Sequence, residues 1–269
     1  MRCLQRPPID TAPDDRDLSD SQRDIVRASA SAPRGALRLA ERLEADLAQR
    51  GPGLAVPAAE DLATTYGVSP RSIRQALGEL ERRFVVRRLA NRELVVASRV
   101  DYRIGSGMSS SWTETVRSTG AEVRSETERA RIRRVPPRVR MELELGRAAR
   151  VYVLSRRRFV DDEPAACSVS YVVAELAPGL PDRLGPDGSL HAALRQEYGL
   201  EPVAAWMRAE MEVPPPDIPK RLGLRGRPVM VSVRWRTDSA REARPVELTA
   251  SWLRADVFRV MLEVDASRA

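Results

Sequence analysis

The stretch VPAAEDLATTYGVSPRSIRQAL, residues 56–77, reads as helix, tight turn, helix. Leu62, Ala63 and Tyr66 are spaced for one face of a short first helix. Gly67 interrupts the pattern and suits a turn, because glycine alone enters the left-handed region without steric cost. Val68 is expected to return to the core. Ser69 has the chemistry of an N-cap, and Pro70 falls at the first helical position, where its missing N–H costs nothing. Ile73, Ala76, Leu77 and Leu80 then follow at helical spacing, which turns Arg71, Ser72, Arg74 and Gln75 largely outward. A short helix, a glycine turn and a second helix with a polar, basic N-terminal end is the pattern of a helix-turn-helix reader of DNA.

The flanks extend this pattern. Ala36–Gln49 is amphipathic, with Leu37, Ala40, Leu43, Leu47 and Ala48 as the expected stripe, and Gly51-Pro52-Gly53 ends it. Two short β-prone runs, Phe84–Arg88 and Glu93–Ala97, follow the helices. Three helices and a hairpin make a winged helix-turn-helix, with Arg82, Arg83, Arg87, Arg88 and Arg92 toward its wing. Charge agrees in its distribution. The chain carries 45 basic and 38 acidic residues, net +7. Nearly all the basic residues are arginine, which looks like a coding bias, so placement decides more than the total. Residues 69–99 hold eight arginines against three acids. Residues 1–33 are poor in apolar residues and are expected to be a disordered tail.

Composition excludes several classes. Two cysteines, Cys3 and Cys167, and one histidine, His191, give neither a disulfide framework nor a metal set. No run approaches the ~20 apolar residues of a membrane span, and no secretory leader is evident, so a cytoplasmic protein is expected. No cofactor motif is evident.

Beyond Val100 the pattern changes to strands and short helices. Residues 103–121 read as a polar loop passing into a helix closed by Gly120, and Glu122–Arg134 as a strand. A helix starts at Pro136-Pro137. Val151–Val160 and Ala165–Val173 form a hairpin, Leu190–Tyr198 a helix closed by Gly199, and Val203–Val213 a strand. Ile218–Leu222 is a helix, Val229–Thr237 with Val246–Leu253 a second hairpin, and Phe258–Val264 a last strand. This mixture is α+β.

Residues 36–97 resemble the DNA-binding domain of GntR-type bacterial transcription regulators, through Val56-Pro57, Leu62-Ala63 and the run Gly67-Val68-Ser69 to Ala76-Leu77. The second half is similar to the UTRA effector-binding domain of the HutC branch, a relative of the chorismate lyase fold. The matching residues there are Arg156-x-Arg158-x-x-Asp161-x-Glu163-Pro164, Ser170-Tyr171, Ser189-Leu190, Tyr198-Gly199, Pro228 and Pro245-x-Glu247. After the disordered tail that composition gives over 1–33, the resemblance implies a winged helix-turn-helix over 34–98 and an effector-binding, dimerising antiparallel-sheet domain over 99–265. It implies a DNA-binding regulator, a repressor, whose dimer binds a pseudo-palindromic operator and answers to a small anionic effector, a carboxylate or phosphate. Three positions depart from the family pattern. Glu60 stands where the family has an arginine, Pro70 stands where another arginine follows the family serine, and Ala90-Asn91-Arg92-Glu93 replaces a glycine-rich wing tip.

The DNA-facing set expected from this reading is Ser69, Arg71, Ser72, Arg74 and Gln75, with Arg87, Arg88 and Arg92 on the wing. Arginine suits it, since its planar fork grips guanine or phosphate. The effector set is Ser110, Ser111, Thr113, Arg156, Arg158, Ser168, Tyr171 and Glu247. Arg156 and Arg158 alternate on one strand and so share a face, with Arg157 on the other. Ser168 replaces a family glutamate, and Trp252-Leu253 lies where the family has a tyrosine. The Asp161–Pro164 cluster reads as a solvated hairpin turn, His191 as a surface or capping-turn histidine, and Cys167 as a core residue. Two other readings stay open: an enzyme acting on a small anion in the lyase-like pocket, and a regulator that has lost its effector response. With one histidine and no nucleophile elbow, a non-enzyme is expected.

Overall fold

The computed structural model describes residues 34–89, 91–104, 111–184 and 188–262. They divide into two compact units, residues 34–50 with 57–85, and residues 51–56 with 86 onward.

The first unit is three helices, α1 (Arg34–Arg50), α2 (Ala59–Tyr66) and α3 (Pro70–Arg82). Both α1 and α2 pack against α3. The buried stripe of α1 is Ala36, Leu39, Ala40, Leu43 and Leu47, rotated slightly from the expected one; Ala48 is exposed. Ile73, Ala76, Leu77 and Leu80 of α3 are buried with it, as are Leu62 and Ala63 of α2. Val68, expected in the core, is instead 37% exposed. The turn that carries it faces outward, because the next buried position is Ile73, one helical turn into α3.

Two local devices set the angle between α2 and α3. Gly67 ends α2 in the left-handed conformation, at φ 65° and ψ 35°. Ser69 caps α3, its Oγ accepting from the Ser72 N–H at 3.2 Å, with Pro70 in the first turn. A Cβ at Gly67 would meet nothing within 4 Å, so its replacement tests backbone strain alone. Gly67→Ala should lower the stability of the helical unit by about 1–2 kcal/mol, the left-handed cost for an L-residue, read as a shift in the urea midpoint.

The second unit opens with a small ribbon. Strands β1 (Val86–Arg88) and β2 (Leu94–Val96) pair antiparallel, Val86 opposite Val96. Residues 53–56 add a third line against β2, through Gly53 N–H to Val96 O at 2.9 Å and Val56 N–H to Leu94 O at 2.8 Å.

Strand β3 (Val100–Ile104) pairs in parallel with β10 (Phe258–Leu262), from the other end of the chain. Between them lies a six-stranded antiparallel sheet in the order β4-β5-β6-β9-β8-β7. Its members are β4 (Val123–Arg134), β5 (Arg150–Val160), β6 (Glu163–Val173), β7 (Pro202–Glu212), β8 (Met230–Ser239) and β9 (Arg244–Leu253). The β5–β6 hairpin turns on Asp161 and Asp162, both at positive φ (49° and 62°). That two-residue, doubly left-handed turn suits aspartate, so the acidic cluster is a hairpin turn, as expected.

Short helices cover both faces. On one face lie α4 (Trp112–Arg117), α6 (Leu180–Arg183) and α7 (Leu190–Tyr198); Trp112 and Val116 pack among Ala166, Val233, Trp235 and Leu253, and Leu180, Leu190 and Leu194 pack on Leu154 and Val172. On the other lie α5 (Pro137–Glu142) and α8 (Asp217–Arg221); Val139 packs with Val151 and Val173, and Ile218 packs with Cys167 and Trp252. Cys167 is fully buried, as expected of a core residue.

Candidate DNA-reading face and buried cationic cavity

Helix α3 buries one arc, Ile73, Ala76, Leu77 and Leu80, and presents Arg71, Arg74 and Gln75 exposed on the other. Ser69 is also exposed, but its hydroxyl already caps the helix and lies 2.9 Å from that of Ser72. Arg74 does not stand free. Its Nη1 lies 3.0 Å from Glu60 Oε1, in the first turn of α2. Both side chains are more than half exposed, at 60% and 68%. Farther along α3, Arg82 and Arg83 both turn back to Glu79, Arg83 Nε at 2.8 Å. The open donors of this helix are therefore concentrated at its N-terminal end, the end that meets base edges when such a helix enters a major groove.

The wing needs one correction. Arg87, expected among the phosphate contacts, is buried at 8% exposure. Val86 and Arg87 are both buried, and only Arg88 at the end of β1 is exposed. Arg88 donates from Nη1 to Arg92 O at 3.1 Å. Arg92 adopts φ 72° in the turn, a conformation that glycine would supply more cheaply. The Asn91 side chain offsets part of that cost by accepting from the Glu93 N–H at 2.9 Å. Arg88 and Arg92 remain exposed candidates; Ala90 lies outside the described residues.

The sheet unit holds the second site. Arg156 and Arg158 point to one face of β5, as their alternation requires, and both are buried, at 1% and 4% exposure. Arg157 points to the other face and pairs with Glu126 at 2.8 Å. Arg156 donates from Nη2 to the Gly188 carbonyl. Arg158 donates from Nε to Ser168 Oγ at 3.3 Å and lies over the Trp112 ring, 4.9 Å from its centroid. Burial, and then the charge of Arg158, push the Arg156 pKa down to about 9 against the pull of Glu247. Burial lowers that of Arg158 too.

The buried carboxylate facing these cations is Glu247 on β9, already engaged by His191 Nε2 at 2.8 Å and by the Thr249 hydroxyl. Burial alone would raise the Glu247 pKa. The charge of His191, the hydrogen bonds from His191 and Thr249, and the charge of Arg158 outweigh burial and hold it below the ordinary range. Ser111 and Ser189, the N-caps of α4 and α7, converge over the same space with their hydroxyl oxygens 3.5 Å apart. Ser111, Trp112, Thr113, Arg156, Arg158, His191, Trp235 and Glu247 all line the cavity. Its free space is about 10 Å³, roughly one water molecule.

Most of the expected effector set is thus assembled in one place: Ser111, Thr113, Arg156, Arg158 and Glu247, with Ser168 directly behind. Tyr171 is not. It stands opposite Val153 and Leu248 on the other face of the sheet and packs on the α5 side, because an odd offset from Ser168 and Ser170 reverses the side-chain direction. Ser110 lies outside the described residues. His191, expected as a surface or capping-turn histidine, does lie in the first turn of α7 behind its Ser189 cap, but it is buried and belongs to the site. The signal for it was present in the sequence: it is the second residue of a helix capped by Ser189, and a cap facing a cavity carries its first turn in with it.

Among the described residues no three His, Cys, Asp or Glu side chains are grouped to hold a metal ion, and no helix is long and apolar enough to cross a membrane.

A helix-turn-helix with a basic leading end, joined to a sheet unit built around buried cations, defines a DNA-binding regulator with a separate sensor domain. The chain belongs to the GntR family of bacterial regulatory proteins in its UTRA-containing form. The description "Bacterial regulatory proteins, gntR family" fits residues 36–96 and "UTRA domain" fits residues 118–259. The HTH-type transcriptional regulator GgaR of Escherichia coli (strain K12) is 25% identical over 212 residues, 78% of this chain and 82% of its own. Among solved structures, PhnF from Mycobacterium smegmatis superposes with a TM-score of 0.58 at 22% identity, covering 84% of this chain and 99% of that one. YydK from Bacillus subtilis does so with a TM-score of 0.51 at 14% identity, covering 86% and 99%. These two support the fold. The protein is a transcriptional regulator of the GntR/UTRA type.

Proposed function

We propose that this regulator is a cytoplasmic homodimeric repressor that reads a pseudo-palindromic operator and releases it when a small anion, a carboxylate or a phosphate, enters the sheet unit. One observation carries the effector class. Two guanidiniums are buried side by side, while the carboxylate facing them is already held by a histidine and a threonine. Buried charge without a matching partner is costly. An anion accepting from Arg156, Arg158 and the serine hydroxyls would supply the match through charge-assisted bonds.

The tightness of the cavity gives the coupling. A metabolite-sized anion fits only if the N-terminal turns of α4 and α7 move apart. Occupied and empty proteins then differ in shape, as an effector needs if it is to shift a population. Ser168, in place of a family carboxylate, removes a negative charge from the anion's surroundings and favours a more highly charged ligand.

The test is a panel of inorganic phosphate, sugar phosphates and small carboxylates, screened by thermal shift on the full chain and by release of DNA from its own upstream region. A true effector at a hundred times its Kd should stabilise the protein by about 2.7 kcal/mol and weaken DNA binding. If anions stabilise the protein without releasing DNA, the effector reading fails. Conversion of any panel member to a product would favour an enzyme instead.

A further inference from the structure

We propose that Glu60 and Arg74 read the operator as one unit, and that Glu60 makes this protein select a G·C pair where Arg74 lands. The ion pair joins the first turn of α2 to the outward arc of the recognition helix, through one guanidinium nitrogen and one carboxylate oxygen 3.0 Å apart. The fork of Arg74 keeps further donors for a base, and the carboxylate keeps its second oxygen.

A carboxylate beside a recognition helix cannot serve as a phosphate contact, since the backbone repels it. It finds a favourable partner on DNA only in a base amino group. Side by side, Arg74 and Glu60 present donor, donor, acceptor. The major-groove edge of G·C presents the complement: N7 and O6 accept on guanine and the N4 amino group donates on cytosine. The edge of A·T presents acceptor, donor, acceptor, which sets the carboxylate against the thymine O4. The pair therefore discriminates where a lone arginine would discriminate less. Helix geometry explains why an acid is tolerated at this position in the free protein. Glu60 and Asp61 occupy the first turn of α2, where negative charge is favoured and no side-chain cap is present. An exposed ion pair adds little to folding, so substitution leaves the fold intact.

The experiment is selection of binding sites from random duplexes with the full chain, its Glu60→Ala, Glu60→Gln and Arg74→Ala variants and the double variant. The unsubstituted chain should select a G·C pair at a fixed position and bind A·T there about five- to thirtyfold more weakly. Glu60→Ala should keep the rest of the selected sequence and lose most of that preference. Glu60→Gln, which keeps an acceptor oxygen, should retain part of it. Adding Glu60→Ala to Arg74→Ala should change the preference no further. The proposal is overturned if Glu60→Ala discriminates as well as the parent, including the case in which it binds all duplexes more tightly by one common factor. A parent chain that selects no sequence would instead count against sequence-specific reading as a whole.

Discussion

An Arg156→Met chain is expected to be no less stable than its parent in anion-free buffer, and to lose the anion-dependent rise in its unfolding midpoint. The reasoning runs from burial. Arg156 is 1% exposed, its neighbour Arg158 is 4% exposed, and each lowers the comfort of the other. Replacing a whole buried ion pair by apolar side chains of similar volume is often neutral or stabilising by about 1–4 kcal/mol, whereas removing one partner is costly; Arg156 is bonded to a backbone carbonyl, so its removal leaves no carboxylate stranded. Methionine fills the stem of the arginine and adapts to the irregular space left by the guanidinium. What is lost is the Nη2 bond to the Gly188 carbonyl, about 1–3 kcal/mol, which the relief of two adjacent buried charges offsets. On the effector reading proposed above, an anion would recover the cost of the two buried charges in the parent; in the variant that cost is already halved and one pair of donors is gone. Thermal unfolding with and without inorganic phosphate checks both halves. A variant that unfolds several kcal/mol more easily while keeping the phosphate shift would show Arg156 to be a structural strut.

Glu247→Ala is expected to have the opposite outcome, a loss of about 3–5 kcal/mol. This is the usual effect of removing one partner from a buried charged cluster. Glu247 is the hub of its network: His191 and Thr249 both bond to it, and Arg158 is held by its charge. Removing it leaves the cations without their nearest counter-charge. The same network gives a pH signature. The carboxyl titrates lower in the folded protein than in the unfolded chain. Its contribution is therefore complete above the unfolded value of about 4.3 and is lost as pH falls through the folded one. The unfolding midpoint of the parent should drop below about pH 4.3 more steeply than that of Glu247→Gln, in which nothing titrates at this position.

Much of this architecture was legible in the residues, for identifiable reasons. Gly67, Ser69 and Pro70 act through local backbone chemistry, so their roles follow from type and spacing alone. The hairpin at Asp161-Asp162 and the helix from Leu190 to Gly199 were equally local. The alternation that placed Arg156 and Arg158 together also separated Arg157, as the strand period demands. The errors arose where a side chain's fate depends on a distant partner. Tyr171 enters the expected set through the family match Ser170-Tyr171, although one step along a strand reverses its face. Arg87 was judged by its charge, whereas its position on β1 buries it. His191 looked solitary because Glu247, fifty-six residues away, meets it only across the fold. The Glu60–Arg74 contact was hidden in the same way: the sequence showed an acid where a base was expected, but not that it would turn to the recognition arginine.

The parallel pairing of β3 with β10 carries a mechanical consequence. Strand β3 starts four residues after the β1–β2 ribbon ends, and within the described sheets its strand partner is β10, the last described strand. Val100 is tied to Val257, Arg99 to the Phe258 carbonyl, and Asp101 to Arg259. The entrance to the sensor is thus clasped by its exit. A chain ending after Leu253 would still contain every strand of the large sheet, yet it would leave β3 with no strand to pair with and remove the anchors of Arg99, Val100 and Asp101.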